Sequence, residues 1–210
     1  MGNWTKPKDT MPMPLDAENA LSDEILVARY AAGDRAAARI LTLRLTPRIL
    51  GYAIRHLGGD RAEAEDVTQE SLLRLWRGAQ DWPADGVRVL PWLYRVAGNL
   101  CIDRIRARVR RRSSPLDEAP DLADAGIGVE AQMIAGDRLT ALDQALACLP
   151  ERQRQAVVLR HIEGLTNPEI ATVMDIGVEA VESLTARGKR ALVAVLSARQ
   201  AELGYDGEGV

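Results

Sequence analysis

Residues 149–192 read LPERQRQAVVLRHIEGLTNPEIATVMDIGVEAVESLTARGKRAL, and this stretch decides the fold. It resolves into a helix, a short connector, and two further helices joined by a tight turn. Thr166, Asn167 and Pro168 make a helix start, because a polar residue caps the first turn and proline there loses no needed amide. Ile170 and Met174 are four apart and share a face. Asp175, Ile176 and Gly177 break the run, with Gly177 expected to supply the turn conformation. A new helix starts at Val178. Its inward positions are Val181, Leu184 and Thr185. Glu179, Glu182, Ser183, Arg187 and Arg190 point the other way. This is a helix-turn-helix pattern, whose second helix can lie in a major groove. A helical hairpin that only packs would read the same way, so the rest of the chain has to decide.

The composition narrows the choice. The chain has 210 residues, of which 47% are hydrophobic and only 4% aromatic, with no Phe. Abundant Ala, Leu and Arg favour helices over sheets. No apolar run approaches the roughly 20 residues of a membrane span, and the N-terminus lacks the apolar core of a secretory signal. The reading is a cytosolic protein. Prolines at 7, 12 and 14 mark residues 1–18 as a flexible tail. Cys101 and Cys148 sit in apolar helical contexts and are expected to be buried thiols. His56 and His161 belong to no ligand cluster, so no metal, cofactor or catalytic residue is assigned.

Net charge is −3, unusual for a free DNA binder, and its distribution says more than its sum. Six arginines fall between Arg104 and Arg112. The next 25 residues, 113–137, carry six acidic groups and no basic ones. A cationic helix end is therefore followed by an acidic tether.

The first half is helical throughout. A break is expected at Gly33-Asp34 and a kink or restart at Pro47. Ile40, Leu43, Leu45, Ile49, Leu50 and Ile54 form an apolar set between them. In RAEAEDVTQESLLRLWRGAQDW, the residues Ala64, Val67, Ser71, Leu72 and Leu75 make a buried stripe. Asp66, Gln69, Glu70, Leu73 and Trp76 lie on the other side. Apolar and aromatic anchors among polar groups read as a docking surface rather than a merely solvated face. A loop with Trp82 follows. LPWLYRVAGNLCIDRIRARVRRR is then one helix, with Leu93, Ala97, Cys101, Ile105 and Val109 on its apolar side. Trp92, Arg95, Asn99, Asp103, Arg106 and Arg110 recur on its other side. Aromatics can stack on bases, arginines hold phosphates, and an amide can read a base edge.

AEDVTQESLLRLW, PWLYRVAGNLCIDRIR and LPERQRQAVVLRHIEGLTNPEIATVMDIG, in this order, resemble the sigma factors of bacterial RNA polymerase, specifically the extracytoplasmic-function (ECF) group. That group keeps only the second and fourth sigma domains. The resemblance implies an all-α fold of two small helical domains, 19–112 and 137–199, joined by a flexible acidic linker, 113–136. A C-terminal tail, 200–210, follows. It further implies a non-enzymatic factor that directs promoter recognition by core RNA polymerase, under the control of an anti-sigma factor, with no membrane insertion. Asp66, Gln69, Glu70 and Leu73, with Trp76 beside them, match the helix that docks on the clamp of the largest polymerase subunit. Trp82 and its loop match the segment that takes up a flipped base of the minus-ten element. Asn99 matches a base-reading position, with Trp92 on the same face and Arg95, Arg104 and Arg106 as backbone contacts. The helix-turn-helix, with Glu179, Glu182, Ser183, Arg187 and Arg190, matches the minus-thirty-five reader. Its domain also docks on the polymerase flap.

One departure stands out. Many relatives carry basic residues on either side of the recognition-helix serine, where this chain has Glu182 and Leu184. The alternative to a sigma factor is a dimeric helix-turn-helix regulator of the LuxR type. Against it, the first half lacks a receiver-domain pattern. No glycine-rich phosphate loop or nucleophile triad supports an enzyme.

Overall fold

The computed structural model describes residues 21–83, 86–112 and 141–198. The two tails and the acidic linker expected from the sequence lie outside these. Every regular element among the described residues is helical. None of these helices is long and apolar enough to cross a membrane.

Helix α1, Asp23–Ala31, starts at Ser22, whose side chain accepts from the amide of Ile25. Gly33, at φ +95°, turns the chain. Asp34 then caps α2, Arg35–His56, by accepting from Ala36 and Ala37, and it also holds Arg29. The expected break at Gly33-Asp34 is therefore present. The restart at Pro47 is not, since α2 runs through it. Proline removes the amide that would bond to the carbonyl of residue 43. Leu43 is 68% exposed, so water can take that place. The same exposure removes Leu43 from the expected apolar set, which is carried instead by Leu41, Leu45, Ile49, Tyr52 and Ala53.

Helix α3, Arg61–Gly78, is capped by Asp60 and buries Ala64, Val67, Thr68, Ser71, Leu72 and Leu75, which contains the whole expected stripe. A 3-10 turn, Ala79–Asp81, leads to α4, Val89–Arg112. Leu93, Ala97 and Cys101 are buried against α2 and α3, and burial pushes the Cys101 thiol up to about 12. Val109 lies past the end of the packed surface and is 59% exposed. Arg108 fastens the far end of α4 to Asp60 and Glu63 at 2.6 Å each.

In the second half, residues 141–147 form α5 and Glu151–Val157 form α6. Cys148, expected to be buried, is exposed because it falls in the turn after α5. Helix α6 widens into a π-helical turn, Val158–Ile162, that the periodicity of the sequence did not announce. Helix α7, Asn167–Met174, begins with a reciprocal capping box between Thr166 and Glu169. The left-handed residue after α7 is Asp175, at φ 54°, and not Gly177. Aspartate can take this role because its short polar side chain tolerates the conformation. Helix α8, Val178–Ala198, packs on both α6 and α7.

Gly188 in α8 is a point of close approach of α8 to α6. A Cβ there would lie 2.6 Å from Val157 Cγ2 and 3.1 Å from the Gln153 carbonyl oxygen. In a free helix Gly→Ala gains about 1 kcal/mol. Here Gly188→Ala should instead cost about 1–3 kcal/mol through overpacking, read from denaturant unfolding of the full chain. A stabilised variant would mean that α6 and α8 are further apart than described.

Candidate protein and nucleic-acid interfaces

Three faces carry the residues singled out by the sequence. The first is the outer side of α3. Asp66, Gln69, Glu70, Leu73 and Arg74 line a shallow depression together with Arg104 from α4. Leu73 is 39% exposed, an apolar anchor amid polar groups. The Arg74 guanidinium hydrogen-bonds Glu70 at 2.8 Å and holds its carboxyl below the usual range. Trp76 is drawn away from this face. Its ring meets Tyr30 edge-on at 4.8 Å, so it is spent on packing α1 against α3. Arg104 lies 3.6 Å from Asp66 and so belongs with α3 rather than with Asn99. The geometry of a helix explains it: five residues at about 100° each place Arg104 roughly 140° around α4 from Asn99.

The second face is the outer side of α4 and the loop before it. Trp82 and Trp92 meet edge-on at 5.2 Å, and the Trp82 indole N–H donates to the carbonyl of Val87 at 3.3 Å. The aromatic pair thus pins the loop to the start of α4. Arg95, Asn99 and Arg106 are exposed along the same side of the helix. Arg88, which the sequence reading did not single out, stands exposed just ahead of α4. Helical spacing seven residues before Arg95 could have found it.

The third face is the outer side of α8, where Glu179, Glu182, Ser183, Arg187 and Arg190 are all exposed. Asn167 donates to Glu182 at 3.4 Å. That contact leaves the second carboxylate oxygen of Glu182 free of any described partner.

The second and third faces are not independent. Helix α7 packs on α4, and α6 approaches α2. Arg88 pairs with Glu169 at 2.8 Å, and Arg95 lies 3.8 Å from Asp175 in the helix-turn-helix turn. Burial would raise the Glu169 carboxyl, but bonds from Thr166 and Arg88 outweigh it and hold the carboxyl below its ordinary range. Glu163, just past the π turn, accepts a short hydrogen bond from Tyr94 and lies 3.7 Å from Arg48. Burial and that carboxylate keep the Tyr94 phenol protonated well above its usual range. Deeper in, Gln155 donates to the Tyr52 hydroxyl at 3.0 Å. Gly98 lies beneath this bond with no room for a side chain, since a Cβ would fall 2.9 Å from both partners. His56 lies in the same buried layer, its Nδ1 2.9 Å from the Tyr52 carbonyl, and burial pushes the imidazole down to about 4.

Among the described residues no group of three or more His, Cys, Asp or Glu could hold a metal ion.

Both halves resemble known proteins. Residues 41–111 match the family model described as Sigma-70 region 2, and residues 139–192 match Sigma-70, region 4. The RNA polymerase sigma-H factor of Pseudomonas aeruginosa is 33% identical over 181 residues, covering 81% of this chain and 91% of the relative. The ECF RNA polymerase sigma-E factor of Salmonella typhimurium is 30% identical over 180 residues, with 82% and 93% covered. Among solved structures, CnrH in complex with the cytosolic domain of CnrY superimposes with a TM-score of 0.62 at 27% identity, covering 84% of this chain and 97% of that one. RpoE in complex with the anti-sigma factor NepR, from Bartonella quintana, shares the fold with a TM-score of 0.58 at 24% identity, covering 74% and 94%. The region 2 match across the first half sets aside the LuxR-type reading. The chain belongs to the sigma-70 family, in its extracytoplasmic-function group.

Proposed function

We propose that this chain binds core RNA polymerase, carries it to a class of promoters, and is held in check by an anti-sigma protein. The observation that carries the reading is the pairing of an exposed acidic and apolar face on α3 with two separate faces suited to DNA. In this division of labour the polymerase performs the chemistry and this chain supplies recognition. The working units are residues 19–112 and 137–199.

Asp66, Gln69, Glu70 and Leu73 form the contact with the polymerase clamp, and Arg104 joins them by orienting Asp66. Trp76 supports this face from behind. The loop after Trp82 receives a base pulled from the minus-ten duplex. Extrusion costs a few kcal/mol, which an aromatic-lined pocket offsets by stacking. Trp92, Arg95, Asn99 and Arg106 continue the track along α4. Glu179, Glu182, Ser183, Arg187 and Arg190 face the minus-thirty-five element, while the same region reaches the polymerase flap. Control by an anti-sigma protein is supported by the likeness to CnrH, which was solved with the cytosolic domain of CnrY.

Core polymerase mixed with this chain should start transcription at discrete sites on genomic DNA. The double variant Asp66→Ala with Leu73→Ala should abolish this. Both side chains point outward, so stability should move by no more than about 0.5 kcal/mol per site. Initiation that persists with the double variant would remove the α3 face from the reading.

Glu182 tests the third face. Helix-turn-helix proteins read base edges with the first turns of the recognition helix. A carboxylate there repels phosphate and is best matched by the amino group of cytosine, which would set discrimination at roughly 1–3 kcal/mol. Glu182→Gln should therefore relax the preference at one position of the upstream element and leave the others unchanged. A uniform rise in activity on all promoter variants would show that only charge repulsion had been removed.

A further inference from the structure

Asn167 opens α7, and its side-chain amide donates to Glu182 Oε1 on α8 at 3.4 Å, across 15 positions of sequence. Both ends of that bond rest on fixed backbone. Ahead of Asn167, Thr166 and Glu169 close the capping box, and Pro168 stiffens the residue after it. Ile170, three residues on, and Val181, next to Glu182, are fully buried where α7 and α8 pack together.

On α8 itself the neighbours of Glu182 at three and four positions are Val178, Glu179, Thr185 and Ala186, none of them a cation. Glu179 carries the same charge and repels it. Arg187, one position further along, turns instead to the backbone carbonyl of Ser183 at 3.3 Å. Among the described residues the partner of Glu182 is therefore Asn167. The chemistry of this partner matters. A lysine or arginine in its place would neutralise the carboxylate and compete with a base amino group for it. An amide has donors but no charge, so Glu182 stays anionic and keeps its second oxygen open to an N–H donor. A free glutamate gives up much of its rotamer freedom when it is ordered on a base edge. Ordering it beforehand removes part of that cost.

We propose that Asn167 is the positioning residue for Glu182: it holds one carboxylate oxygen so that the other meets the amino group of a cytosine in the minus-thirty-five element. This role rests on the reading of Glu182 as a base contact. It adds a residue on a second helix that sets the geometry of the contact.

The test uses the full chain with core polymerase. The template is a promoter mapped on genomic DNA with its upstream element randomised, each copy carrying a transcribed barcode that identifies its element. Sequencing the transcripts gives the base preference at every position. The unaltered chain should favour cytosine at one position by about tenfold or more. Asn167→Ala should lower that ratio about fivefold, the net worth of one hydrogen bond. Ratios at the other positions should stay within about twofold, the spread expected of independent sites. Asn167→Gln keeps the amide and should recover part of the loss. With Glu182→Ala already in place, Asn167→Ala should change no ratio by more than about twofold. A purely structural role for Asn167 would lower total transcript and all ratios together, with or without Glu182, and that result would overturn the proposal. An unchanged cytosine ratio in Asn167→Ala, where Glu182→Ala alone relaxes it, would overturn the positioning role and leave the base contact standing. If Glu182→Ala leaves every ratio unchanged, the base contact fails and the positioning role fails with it.

Discussion

Glu163 sits where the two halves of this protein depend on each other. A carboxylate taken out of water costs several kcal/mol unless its charge and lone pairs are met. Here they are met by Tyr94 and Arg48, neither of which belongs to its own region. The π-helical turn Val158–Ile162 is what delivers it. An extra residue in that turn shifts the register of the chain beyond it, and such turns recur at functional sites. Around this contact the buried residues form one continuous cluster from Leu26 to Val181, so region 4 is seated on region 2 rather than merely tethered to it.

That seating gives the charge distribution a physical meaning. Some of the acidic groups behind the net charge of −3 are set against particular arginines. Surface ion pairs of this kind are individually weak and exchange readily. An interface built from them is one that salt weakens. The outer face of α3, with Asp66 and Leu73, lies away from this contact and stays accessible throughout. A factor built this way can meet polymerase first and present its DNA faces afterwards.

Much of this was legible in the sequence because it is local. Caps at Ser22, Asp34, Asp60 and Thr166, and the stripe from Ala64 to Leu75, follow from helix periodicity and the chemistry of short polar side chains. The outward set on α8 was readable for the same reason. What escaped was non-local or depended on small changes of register. Trp76 looked free because its partner Tyr30 lies on another helix. Arg104 was carried over by resemblance although its helical angle turned it away from Asn99, and the fold sets it beside Asp66. Asp175 took the turn conformation that glycine usually takes. The polar contacts that anchor the halves join residues far apart in the chain, 69 positions between Tyr94 and Glu163, and no periodicity encodes such a pairing. The pairing of Arg88 with Glu169 carried no signal until both were seen together.

Helix α7 of region 4 packs on α4 in the free protein, and engagement of core polymerase is expected to separate them. Labels at Asn99 on α4 and Thr172 on α7, both exposed, would report the separation directly by pulsed electron paramagnetic resonance. One short, narrow distance distribution is expected for the free chain, with a shift to a clearly longer one on adding core polymerase. The same short distribution in both states, with polymerase bound, would contradict it.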